Sequence, residues 1–254
     1  MRKLILGAVI GLASLLTNIA PVTALEGRQC PNEPMRVLVL GDSLADGLWA
    51  SLHRFYARCN TLDVVRLTTV SDGLAKTSED EWAQRFVSGA GGRGDASRDV
   101  VIVQMGANDI TYIRNGRTRE SFNTEEWQSL YHARVKELTR VLRSRSAEVY
   151  WFGLPIVGNT KWEPSYRIIS ELQRNAVRKA GGNFIDIHEL TMFGTGTFAM
   201  NARLEGRIMQ MRAADKVHFT KPGYDYVASQ VLDEIAMLID ETNRGAALQD
   251  VELQ

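Results

Sequence analysis

A short apolar run, Arg36-Val37-Leu38-Val39-Leu40, breaks off at Gly41-Asp42-Ser43-Leu44. A Val- and Leu-rich segment bounded by Pro34 and Gly41, with no polar alternation, hides both of its faces, and that is the environment of an interior strand in a parallel sheet. Leu44, Leu48, Leu52 and Phe55 then recur at helical spacing, so Ser43 stands where a buried strand becomes a helix. The first N–H groups of a helix are unpaired and favour negative charge. Asp42 or Ser43 could serve there as a cap, or Ser43 could be a nucleophile whose oxyanion the helix start stabilises, and this stretch alone leaves both open.

The rest of the chain alternates strand and helix. Leu62–Thr68 reads as a second strand leading to Ser71-Asp72-Gly73, followed by a short helix over 78–87 and a surface loop over 89–94. Val100–Met105 is a second strongly apolar strand and stops at Gly106-Ala107-Asn108-Asp109. A helix capped by Asn123 runs to Arg143, Glu148–Leu154 is a fourth strand, and Pro164–Ala180 is a helix closed by Gly181-Gly182. Asn183–Ile187 is a fifth strand, Asn201–Met211 reads as a short helix, and Gly223–Glu241 closes the fold as a helix. This pattern predicts an α/β domain with a five-stranded parallel sheet, order 2-1-3-4-5, and helices on both faces.

The two ends stand apart from that domain. Arg2 and Lys3, the apolar stretch Leu4–Ala20 and the small residues around Val22-Thr23-Ala24 predict an export signal over 1–24, cleaved to leave one domain over 25–242 and a flexible tail over 243–254. Such a protein is periplasmic or secreted, bacterial, and not stably inserted in a membrane once the signal is removed. Without Arg2 and Lys3 the balance is 28 basic to 30 acidic residues, which gives no support to a nucleic-acid partner. Cys30 lies just before the first strand and Cys59 just after the first helix, at the same edge of the sheet, so an oxidising compartment would join them in a disulfide.

In the predicted order the carboxyl ends of strands 2, 1 and 3 are neighbours, and Gly73, Ser43 and Asn108 meet at the switch point where open α/β sheets bind ligands. The N–H groups of Ser43 and Gly73 and the Asn108 amide then form a candidate oxyanion hole. A serine also needs a base. His53 and His132 fall inside helices and suit packing or surface roles, whereas His188, two residues after Asp186, competes with His218. His218 sits in Asp215-Lys216-Val217-His218-Phe219-Thr220 just before the closing helix. The chain since the fifth strand easily spans the ~15 Å back to Ser43. Asp215 on the same turn can fix the imidazole tautomer while the other nitrogen faces the serine.

These residues resemble the four sequence blocks of the SGNH (GDSL) hydrolase superfamily: Gly41-Asp42-Ser43-Leu44, Gly73, Gly106-Ala107-Asn108-Asp109 and Asp215-Lys216-Val217-His218. With its export signal the chain is similar to an exported bacterial subgroup of unassigned function. The resemblance implies a flavodoxin-like three-layer α/β/α sandwich and ester hydrolysis through an acyl-enzyme without metal or cofactor. Ser43 would be the nucleophile, His218 the base and Asp215 its orienting acid, with oxyanion donors at Ser43, Gly73 and Asn108. Asp42 and Asp109 are expected to hold the turns from behind.

For substrate, the export signal favours O-acetyl esters of cell-envelope or extracellular carbohydrate. A lipid esterase or acyltransferase using the same site remains open, as does a glycan-binding protein without turnover. A metal-dependent phosphoesterase built from Asp42, Asp186, His188 and His218 is a weaker rival, because those residues lack clustered ligand spacing. Arg114, Arg117 and Arg119 in the segment Tyr112–Arg119, and Trp162, offer either a sugar or acidic-glycan contact or an ordinary solvated face.

Overall fold

A computed structural model describes residues 30–90, 99–145 and 148–252. The expected export signal, and most of the loop expected over 89–94, lie outside the described residues. In chain order the elements are β1 (Met35–Gly41), α1 (Ser43–Phe55), β2 (Leu62–Thr68), α2 (Glu79–Gly89), β3 (Val100–Gln104), β4 (Ile113–Asn115), β5 (Thr118–Glu120), α3 (Glu125–Arg143), β6 (Glu148–Phe152), α4 (Glu163–Lys179), β7 (Asn183–Ile185), β8 (Asn201–Leu204), β9 (Arg207–Gln210) and α5 (Lys221–Glu252).

The main sheet has the order β2-β1-β3-β6-β7 with every pairing parallel, which is the expected 2-1-3-4-5 arrangement. Val37–Leu40 and Val100–Val103 have no solvent exposure, as interior strands covered on both faces require. α1 packs with α5, and α2, α3 and α4 pack in succession. The result is a three-layer α/β/α sandwich. Cys30 and Cys59 form a disulfide with their Cα atoms 5.4 Å apart, closing a separation of 29 residues that contains β1 and α1. Loop closure of that length contributes roughly 3–4 kcal/mol through the unfolded chain.

The contact between α1 and α5 sets the site. Gly47 lies one turn beyond Ser43, and a Cβ there would come 2.0 Å from the Tyr224 ring, so the glycine is what admits Tyr224 against α1. One turn further on, Asp225 is buried and accepts from Ser51 Oγ at 2.8 Å and from Arg54 at 2.7 Å. Together these contacts fasten the start of α5, and the turn just before it, beside the start of α1.

Several local expectations change. Asn201–Met211 is not a helix: β8 and β9 form an antiparallel hairpin turning at Glu205 (φ 51) and Gly206 (φ 78), two consecutive left-handed residues that reverse a strand tightly. The segment 112–120 likewise contains the β4–β5 hairpin. Thr124, not Asn123, caps α3 by accepting from the Trp127 N–H, while Asn123 takes a left-handed φ of 68. β6 ends at Phe152, its last residue paired with both β3 and β7, and the Leu154 N–H turns to Ser170 Oγ. α5 runs from Lys221 to Glu252, past the domain boundary expected at 242. No helix among the described residues is long and apolar enough to cross a membrane.

Candidate active site

Ser43 is the first residue of α1, and the Asp42 side chain caps that helix by accepting from the Leu44 N–H at 2.8 Å. Capping is thus done by Asp42, and Ser43 Oγ is left to face His218, whose Nε2 lies 2.7 Å away. His218 Nδ1 is 2.6 Å from Asp215 Oδ2, and Asp215 Oδ1 accepts from the N–H groups of Val217 and His218, both at 2.9 Å. Partial burial pushes the Asp215 carboxyl up, but His218 and these two N–H groups outweigh it and hold Asp215 below the usual carboxylate value. The His218 side chain keeps about a third of its surface, 35 %, in contact with solvent, so the pair is open to a ligand.

Arg212, which sequence reasoning missed, supports that turn. It is fully buried, between the rings of Phe219 at 4.1 Å and Phe198 at 5.2 Å, and Nη2 donates to the carbonyl of Val217 at 2.8 Å. The Ala213 N–H donates to the His218 carbonyl at 2.9 Å and closes the turn from the other side. Burial lowers the Arg212 pKa to about 10, so it stays charged at neutral pH. A lone arginine three positions before Asp215 carries no sequence signal for burial, since its partners are backbone carbonyls and rings.

The ends of β1, β2 and β3 are joined by two buried carboxylates. Asp42 Oδ2 accepts from the N–H groups of Gly106 (3.1 Å) and Ala107 (3.2 Å), tying the turn after β1 to the turn after β3. Asp109 Oδ1 accepts from the Ala75 N–H at 2.9 Å, and Oδ2 from the Leu74 N–H at 3.2 Å and Tyr131 Oη at 2.8 Å, tying the turn after β3 to that after β2 and to α3. A Cβ on Gly73 would meet Asp109 Oδ1 at 2.2 Å, so this glycine makes room for the carboxylate. Asn108 Nδ2 donates to the Asp72 carbonyl at 3.2 Å, with Asp42 Oδ2 at 3.5 Å, and the Gly73 N–H is directed at Asp72 Oδ1 at 2.8 Å. Gly73 and Asn108 therefore meet at the expected strand ends, with their donors turned onto the Asp72 residue.

Burial pushes Asp42 up to about 7 and Asp109 up to about 6, against the hydrogen bonds that favour their ionised forms. An aspartate in the unfolded chain gives up its proton near 3.8, so between that value and about 7 the folded state holds a proton more, and stability through Asp42 falls as pH rises. In Asp42→Asn that loss is absent. The variant is less stable than the parent, because an amide cannot accept at every position, but urea unfolding should show the gap narrowing between pH 5 and pH 8.

The protein family described as "Protein of unknown function (DUF459)" matches residues 36–234, from the start of β1 into α5. The chain belongs to DUF459. A search of curated proteins finds no match. Among solved structures, the DUF459 chain is similar to a lipase/acylhydrolase from Enterococcus faecalis (TM-score 0.56, 16 % identity, covering 80 % of this chain and 95 % of the other). It is similar also to the acetylxylan esterase Axe2 from Geobacillus stearothermophilus (TM-score 0.53, 16 % identity, 82 % and 96 % covered). A member of the lipolytic G-D-S-L family from Veillonella parvula gives a TM-score of 0.52 at 15 % identity, with 78 % and 97 % covered. This chain thus shares its fold with these three structures, a member of the lipolytic G-D-S-L family among them.

The other histidines of this DUF459 protein lie elsewhere. His53 is exposed beside Trp49 on α1, and His132 lies within α3. His188 is buried and bonded through Nε2 to Glu163, while Asp186 pairs with Arg174. The four residues of the metal-dependent alternative are not brought together, and among the described residues no group of three or more His, Cys, Asp or Glu is arranged to hold a metal ion. Trp162 is exposed at the start of α4, and Arg114, Arg117 and Arg119 are exposed on the β4–β5 hairpin.

Proposed function

We propose that this DUF459 protein is an exported serine esterase that hydrolyses carboxylic esters through an acyl-enzyme, with O-acetyl groups of envelope or extracellular carbohydrate as its substrates. The observation that carries the reading is the hydrogen-bonded line from Ser43 Oγ through the two nitrogens of His218 to Asp215. His218 Nε2 takes the Ser43 proton as Oγ attacks the acyl carbon, and ionised Asp215 holds the ring and balances its charge. The oxyanion forms at the start of α1 beside the Ser43 N–H; the Gly73 N–H and Asn108 Nδ2, turned onto Asp72 in this structure, must reorient to join it as donors. On collapse the alcohol leaves with the proton from His218. Water then repeats the attack, His218 again carrying the proton, and releases the carboxylic acid and free Ser43.

The carbohydrate preference is supported by the expected export signal over 1–24 and by the acetylxylan esterase that shares the fold. A fluorophosphonate probe tests the chemistry and an ester panel the substrate. The expected result is a covalent adduct on the peptide containing Ser43, with acetate released from acetylated xylan or acetylated peptidoglycan in preference to palmitoyl esters or lysophospholipid. Absence of the adduct overturns the mechanism, and preference for long acyl chains overturns the substrate class.

A further inference from the structure

We propose that the β4–β5 hairpin is a docking site for the carrier of the ester, and that this carrier is an acidic polysaccharide bearing carboxylate or phosphate groups. The inference rests on the esterase reading for its biological sense, but its own evidence is separate.

Arginines elsewhere in this protein are largely spoken for. Arg36, Arg54, Arg66, Arg85, Arg134 and Arg174 are each paired with a carboxylate. The hairpin departs from that habit: among the described residues, none of the guanidiniums of Arg114, Arg117 and Arg119 pairs with a carboxylate, and all three residues are exposed. The adjacent acid, Glu120, instead accepts from Thr118 Oγ1. Moreover, Arg114 stands directly opposite Arg119 in the hairpin register. Like charges facing each other across an antiparallel pair destabilise it, and a two-stranded hairpin of three-residue strands has little stability to spare. Its charge works against its own pairing, and an anion between the two strands would relieve that repulsion.

The hairpin is nevertheless firmly mounted, and beside the candidate site. Ile113 is fully buried, and Trp127 Nε1 donates to the Thr111 carbonyl at 2.8 Å. One guanidinium, that of Arg134, donates both to the Leu74 carbonyl at 2.6 Å and to the Arg114 carbonyl at 3.2 Å. Leu74 follows Gly73 directly, so the hairpin is held within a side chain's width of the turn that would face the oxyanion. Arg119 also stacks over the exposed Tyr112 ring, with Cζ 4.7 Å from the centroid, which presents a flat face flanked by charge, suited to a sugar ring carrying an acid. Equal numbers of basic and acidic residues in the whole chain argue against a nucleic-acid partner, and the strand residues that face solvent are polar, which argues against membrane insertion.

The test compares the parent with Arg114→Gln/Arg117→Gln/Arg119→Gln on chemically acetylated polygalacturonate, acetylated xylan and p-nitrophenyl acetate, at low and at 0.5 M salt. At low salt the parent should prefer the anionic polymer. The triple variant, like high salt acting on the parent, should raise KM for that polymer about tenfold while kcat and both uncharged substrates stay unchanged. The corresponding triple lysine variant should recover most of the difference. Equal KM for the two polymers in the parent, or an unchanged KM in the variant, overturns the proposal. Binding of unacetylated polygalacturonate to Ser43→Ala by calorimetry keeps the test independent of turnover: retained affinity that falls in the quadruple variant supports the hairpin even if no ester is cleaved. Binding of a vesicle of anionic phospholipid or of a single-stranded oligonucleotide with equal affinity overturns the polysaccharide assignment.

Discussion

Replacing His218 with alanine is expected to lower the turnover of p-nitrophenyl acetate by about four orders of magnitude, with little change in KM. Among the described residues the hydroxyl of Ser43 has one hydrogen-bonded base, His218 Nε2 at 2.7 Å. Without an acceptor the Ser43 proton must leave during attack on the ester at great cost, and the same holds for the water that attacks the acyl-enzyme. Ser43→Ala should lose a similar amount, and the double variant little more than either single one, because the two residues act as a unit. His218 is partly exposed and its imidazole fills no core position, so the variant should unfold at the same urea concentration as the parent. Turnover that survives in either variant within about tenfold of the parent would remove Ser43 and His218 from the reaction.

Asp109→Ala should have its largest effect on stability, a loss of about 3–5 kcal/mol read from the urea midpoint. The carboxylate is fully buried and accepts from the N–H groups of Leu74 and Ala75 and from the Tyr131 hydroxyl. Truncation strands those donors away from water and opens a void against Gly73. Tyr131 stays linked to Gln173, which also donates to the Met105 carbonyl at 2.7 Å, so α3 remains attached to β3 and the damage concentrates on the turn over 72–75. The folded fraction should accordingly show a reduced kcat, because that turn carries the Gly73 N–H. A loss below about 1 kcal/mol would mean that other groups can satisfy these donors.

The parts of this protein that could be read from its sequence are those fixed by local chemistry. β1 and β3 are legible because Val37–Leu40 and Val100–Val103 are unbroken apolar runs, and Gly41 and Gly106 mark where strand gives way to loop. The strand order followed from the alternation of elements and the handedness of the crossovers, and it brought Ser43, Gly73 and Asn108 to adjacent strand ends. The Cys30–Cys59 bond was legible for the same reason.

What was not legible depends on distant partners. The short stretch Asn201–Met211 has no apolar period that separates helix from strand, and the left-handed pair Glu205-Gly206 decides for a hairpin. Arg212 reads as a surface residue because nothing in the sequence puts Phe198 and Phe219 on either side of it. The link from Asp109 to Tyr131 needs the rotation of α3 about its axis, which apolar spacing fixes only coarsely. The turning of the Gly73 N–H onto Asp72 depends on side-chain torsions that no pattern encodes.

Ser43 and His218 are separated by 175 residues, the serine just after the first strand and the histidine just before the last helix. The contacts that bring them together are those of α5 on α1 through Tyr224 and Asp225. A chain still being synthesised carries the serine without the histidine, and so the proposed esterase activity would arrive last, as a property of the finished molecule alone.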